Sequence, residues 1–184
     1  MKIMCAVLMF GVAVLAVSGC GEAQKPAAPV DAPKAAALPP GLFLKEAPAG
    51  AKDVGAAKVD AKEGDEIVIR GQIGGSPKDV FNPGRASFSI ADMKLPACSM
   101  KPGEKCETPW DFCCETPEIR TANTAMIQIA DADGKILKSD VHGVSGIEYL
   151  SVVVVKGKVA KHDGLNLIVN ATGVFVEKTV PLPH

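Results

Sequence analysis

Residues 151–176, SVVVVKGKVAKHDGLNLIVNATGVFV, constrain the fold more than any other part of the chain. Two long runs rich in Val, Ile and Leu (151–160 and 165–176) flank Lys161-His162-Asp163-Gly164. β-branched residues suit a pleated strand, and Asp-Gly suits the positive φ of a tight hairpin turn. The runs therefore predict a β-hairpin of two long strands. Gly173 falls inside the second strand, where a glycine marks a bulge or bend. A pair this long and this apolar must be covered on at least one face. That requirement calls for more strands nearby.

The chain supplies them. Glu66–Ile73 (EIVIRGQI) alternates with period two, Ile67, Ile69 and Gly71 opposing Val68 and Arg70. Gly74-Gly75-Ser76-Pro77 ends it, and Asn82-Pro83-Gly84 is a turn. Residues 86–91 (ASFSIA) form a second strand, with Phe88 and Ile90 on one face and Ser87 and Ser89 on the other. Residues 124–130 (TAMIQIA) form a third, closed by Asp131-Ala132-Asp133-Gly134, which lacks the later Glu of a calcium loop. Residues 143–150 suit a helical turn. Residues 51–64 predict a short helix, because Val54, Ala57 and Ala61 share one face and Gly64 can close it. Five main strands with a short helical piece between the third and fourth resemble the OB-fold, a five-stranded Greek-key barrel. The resemblance rests mainly on the 151–176 hairpin and covers about residues 65–178. It implies an all-β domain: a small OB-like barrel with a short helix, enlarged by a Cys-rich loop between strands two and three. A fold of this kind implies no particular function. Residues 179–184 are left as a tail.

The N-terminus carries an address. Lys2 precedes an apolar run over residues 3–17, which is shorter than the roughly 20 residues a membrane-spanning helix needs. Val17-Ser18-Gly19-Cys20 follows, with small residues before a cysteine. This stretch resembles a bacterial lipoprotein signal peptide with its lipobox. The resemblance implies removal of residues 1–19, lipidation of Cys20, and anchoring in the cell envelope by two or three acyl chains. Such a protein faces the periplasm or the cell surface. Gly21, rather than aspartate, favours the outer membrane. Residues 20–50 then form a tether dense in Ala and Pro, without apolar period, and too poor in burial to offset its ordering entropy. Leu42-Phe43-Leu44 is an apolar island within it, able to dock on the domain or on the bilayer.

Export gives the remaining cysteines their meaning. Cys5 leaves with the signal, and Cys98, Cys106, Cys113 and Cys114 lie within 17 residues of one another. An even, clustered set in an exported chain predicts disulfides. A bridge between neighbours Cys113 and Cys114 is geometrically poor, so pairing of Cys98 and Cys106 with Cys113 and Cys114 is expected. The alternative is a soft-metal site for copper or zinc on the same four thiols, with Met100 as an added thioether and His142 and His162 as further ligands. The zinc-knuckle spacing is absent, whereas Cu⁺ tolerates irregular spacing. Catalytic thiol–disulfide exchange normally needs a C-x-x-C at a helix start, which this segment lacks. The segment around Thr108-Pro109-Trp110-Asp111-Phe112-Cys113-Cys114 resembles a stretch found in exported bacterial proteins of unknown activity with OB-like barrels. Trp110, Asp111 and Phe112 form a candidate binding surface, with Trp110 as the alternative plug that packs the loop on the barrel.

Charge and motifs narrow the function further. The whole chain has a formal charge of −1, and removal of Lys2 makes it one unit more negative. Its basic residues (Arg70, Lys78, Arg85, Lys94, Lys156, Lys158) are scattered, which argues against nucleic acid. No Ser-His-Asp order, HExxH, GxSxG or P-loop is present, so no catalytic residue is assigned. The expectation is a lipid-anchored, non-enzymatic binding or assembly module with a disulfide-stapled loop. Its partners would be the membrane, through the anchor, and an envelope protein or small ligand; no cofactor is expected. Metal handling is the alternative.

Overall fold

The computed structural model describes residues 36–76, 80–103 and 106–179. The signal segment, Cys20 and the first part of the tether lie outside them. Lys34–His184 forms one compact unit. Among the described residues, no helix is long and apolar enough to cross a membrane.

Six strands appear in chain order: β1 (Lys52–Asp53), β2 (Glu66–Ile73), β3 (Ser87–Ala91), β4 (Thr124–Gln128), β5 (Val152–His162) and β6 (Leu167–Lys178). The sheet runs β1-β2-β3-β4-β6-β5, and β5 pairs back onto β2. That last pairing closes a five-stranded barrel from β2 to β6. Its contacts are antiparallel except β4 with β6, which is parallel. The expected OB-like, all-β barrel is therefore the observed architecture, and closure leaves its long strands no free edge. The helical piece between the third and fourth barrel strands is a 3₁₀ turn, Val144–Gly146.

The two faces of each strand explain the core. β5 buries Val153, Val155 and Val159 inside the barrel with Ile69, Ile73, Phe88, Ile90, Ile127 and Val169. Aliphatic residues fill this interior almost alone, as a chain with 4% aromatics requires. Register shifts in the β5–β6 ladder fall at Lys156/Gly157, opposite Gly173 and Ala171. Bulges at these points let two long strands curl around a narrow barrel.

Two expectations need correction, and the serine face of the second strand proves covered. The helix over 51–64 is shorter: α1 spans Val54–Asp60, and residues 52–53 instead form β1, parallel to β2. Val54, Ala57 and Ala61 do form its buried face. Ser87 and Ser89 do not face solvent, because residues 74–76 and 80–82 fold over that side. The Ser89 hydroxyl donates to Gly74 O (2.6 Å), and Asn82 Nδ2 donates to Ser87 Oγ (3.1 Å). Finally, residues 36–50 are not free tether. Leu42 is 2% exposed and belongs to the core. Leu44 N donates to Val174 O, and Val174 N donates to Leu42 O, at 2.8 and 2.7 Å. Leu44 fills the space beside Gly173, where a Cβ would come within 2.8 Å of its Cδ1. Within the described residues the apolar island docks on the domain.

Candidate metal centre

The long connection from β3 to β4 carries all four candidate thiols. Cys98 opens a 3₁₀ turn, Cys98–Met100, and Cys98 N donates to Asp111 O at 2.8 Å. Ser99 N donates to Pro109 O, and Asp111 N closes a turn onto Thr108 O. These bonds fold the segment back on itself and bring Cys113 and Cys114 beside Cys98. A second, smaller apolar cluster supports the loop from below: Ala91, Leu95, Ala97, Phe112 and Leu150. Phe112 is 1% exposed. Gly74 permits this docking, since a Cβ there would lie 2.7 Å from Trp110 O and 2.8 Å from the Phe112 ring. A Lys101–Glu115 ion pair at 2.6 Å ties the two arms of the loop together.

The result is a convergent sulfur site. Among the described residues, the Sγ atoms of Cys98, Cys106, Cys113 and Cys114 all lie within 4.8 Å of one another. The Cys98 sulfur is 3.4 Å from that of Cys113 and 3.8 Å from that of Cys114. None of the four is joined in a disulfide, so the expected pair of disulfides is not present. Instead of two separated pairs, one sulfur cage is formed. Cys98 is its buried floor, Cys106 is half-buried, and Cys113 and Cys114 face solvent.

The cage shares its protons unequally. Burial pushes the Cys98 thiol up, but hydrogen bonds from Cys113, Cys106 and Cys114 outweigh it and hold Cys98 below the ordinary thiol range. The cost falls on its partners. Donation to Cys98 raises Cys106, and pushes Cys113 up to about 12. The buried Cys98 thiol thus gives up its proton more readily than Cys106 or Cys113. Lys101, beside Cys98 and Cys114, is held above its usual range by its hydrogen bond to Glu115 and then by the nearby sulfurs.

The other sequence candidates are placed elsewhere. His142 Nε2 pairs with Glu148 (2.8 Å) while its ring stacks on Phe81 at 4.3 Å. His162 Nδ1 bonds to Ala61 O at 2.8 Å. Neither belongs to the sulfur cage. Met100 ends the 3₁₀ turn and is 56% exposed. Trp110 stacks on Tyr149 with ring centroids 3.9 Å apart, which is the packing of a plug. Asp111 and Phe112 are buried. Sequence reasoning passed over Arg120 altogether. It sits on α2 (Pro117–Ala122), a helix announced only by its Thr116 cap and the proline at its start.

The chain matches no protein-family model, no curated protein and no solved structure. Chemistry alone must speak for the site. Four thiolates at mutual distances of a few ångströms suit a soft, closed-shell ion. A tetrahedral ion with metal–sulfur bonds of about 2.3 Å has sulfur–sulfur edges of about 3.8 Å. The Cys98–Cys113 and Cys98–Cys114 separations bracket that edge within a few tenths of an ångström.

Proposed function

We propose that this chain is a lipid-anchored cell-envelope protein that binds one soft metal ion, Zn²⁺ or Cu⁺, in the Cys98/Cys106/Cys113/Cys114 cage. The observation that carries the reading is the convergence of all four sulfurs within 4.8 Å. Four thiolates suit either ion, and neither needs Met100 or a histidine to complete a tetrahedral set. The lipobox-like Val17-Ser18-Gly19-Cys20 supports the anchor, and Gly21 supports the outer membrane. The protein acts by binding rather than by catalysis.

Two features point to an ion that is handled rather than one that holds the fold. Cys113 and Cys114 are exposed, so an external ligand can reach the ion. The main barrel core is a separate cluster that contains none of the four cysteines. Removing the ion should loosen the loop and leave the barrel folded.

The test is intact mass with elemental analysis of the full chain, purified from the envelope without reductant or chelator. A fully reduced mass with one equivalent of zinc or copper is expected. A mass lower by four hydrogens, with no stoichiometric metal, would mean two disulfides and would overturn the proposal in favour of a stapled binding module.

A further inference from the structure

A cleft of about 550 Å³ opens between α2, β4 and the β5–β6 turn. Its apolar lining is Phe112, Met126, Leu165 and Leu167. Its charged lining is Arg120 and Lys161, and among the described residues no carboxylate lines it.

Arg120 is the unusual member. Its backbone is fully engaged: its N–H donates to Thr116 O, and its carbonyl accepts from Asn123 N and from the Thr124 hydroxyl. Its side chain is not. Arg120 Nε is buried with no hydrogen-bond partner. A buried donor without an acceptor is costly, and native structures rarely leave one. Lys161, by contrast, already pairs with Asp163 at 3.1 Å. The cleft therefore holds one guanidinium whose charge nothing in its walls answers. The walls themselves are fixed. Lys58 Nζ donates to Leu165 O at 2.6 Å and also to Thr121 O, tying the hairpin turn to the end of α2.

From these observations we infer that the cleft binds a small organic anion, a carboxylate or phosphate carried on an apolar body. The anion accepts from the Arg120 fork, which matches either group with two parallel hydrogen bonds. Lys161 adds long-range attraction, and the body lies on Phe112, Met126 and Leu167. The volume suits a ligand of drug-like size or smaller.

Calorimetric titration of the full chain in non-ionic detergent, with a micelle blank, tests this. The probes are phenyl phosphate, benzoate and the neutral benzyl alcohol. At least one anion should bind saturably at one site, at least about tenfold tighter than the alcohol. A preference for phenyl phosphate assigns a phosphate ligand, and a preference for benzoate assigns a carboxylate. Arg120→Gln should remove that advantage over the alcohol. Arg120→Lys keeps the charge, guards against misfolding, and should retain part of it. Thermal melting confirms that each variant is folded. Equal binding of alcohol and anions, no saturable binding, or an undiminished anion preference in folded Arg120→Gln would overturn the inference. Because chelator-stripped protein should bind the probes as well as metal-loaded protein, failure here leaves the metal reading untouched, and the reverse.

Discussion

Cys98 is the residue on which the sulfur cage depends. It is buried, it contacts Cys113 and Cys114, and hydrogen bonds from its neighbours hold its thiol below the ordinary range. Cys98→Ser should therefore abolish stoichiometric metal binding. Melting of the metal-free protein should shift by only a few degrees, since the barrel core lies elsewhere. Metal analysis and a melting curve on the same sample check both halves; loss of the folded barrel would contradict the second. A pH dependence follows from the same protons. Metal needs thiolates, while Cys106 and Cys113 hold their protons above the ordinary range in the free site. Binding must expel those protons, so affinity rises with pH and acid releases the ion. Competition against a chromophoric chelator between about pH 6 and 8 should show a steep rise, and a flat profile would count against thiolate ligation.

At the scale of elements, the docking of residues 36–44 and the curl of the hairpin carry predictions. Leu42 is fully packed against the barrel, so Leu42→Ala should cost about 2–5 kcal/mol in denaturant unfolding. A value near zero would mean that this segment does not stay docked in solution. In β5, Gly157 sits at a register shift, and a Cβ there would lie 2.4 Å from Asn170 O on β6. Backbone cannot move aside cheaply there. Gly157→Ala should cost about 1–3 kcal/mol, despite being a change that normally favours order. The Arg70–Glu177 pair joins β2 to β6 through two hydrogen bonds, at 2.7 and 2.8 Å. It is partly exposed, and removing it should cost no more than about 1 kcal/mol.

For the whole molecule, the consequential division is between the proposed anchor, the docked segment and the barrel. Since residues 36–44 pack on the domain, any free spacer ends before residue 36 and is shorter than the expected 20–50 tether. An anchored protein would then have a shorter reach from the bilayer than a thirty-residue coil gives. Cys20→Ser should move the protein from the membrane to the soluble fraction and abolish palmitate labelling, while leaving metal stoichiometry intact. Retention in the membrane fraction would disprove the anchor.

Local chemistry made the barrel legible. Period-two runs, the Asp163-Gly164 turn and the glycines of the hairpin are properties of neighbouring residues, and they placed β2 to β6 within a residue or two. The same logic located the Cys segment between β3 and β4. What it could not reach was anything set by a surface brought from far along the chain. Ser87 and Ser89 alternate with the core residues Phe88 and Ile90, yet residues 74–76 and 80–82 cover them. Leu42-Phe43-Leu44 reads as an island until Val174 pairs with it. Arg120 is one basic residue among many until the hairpin turn and Phe112 enclose it. Above all, sequence spacing fixes which cysteines are near one another but not whether they meet as pairs or at a single point. Hydrogen bonds from Cys98 to Asp111 and from Ser99 to Pro109 settle that, because they fold the loop so that four sulfurs share one cage. The sequence by itself determined the strands and their turns through short-range periodicity. Only the tertiary structure, by packing distant segments together, decided what those strands cover and where the thiols converge.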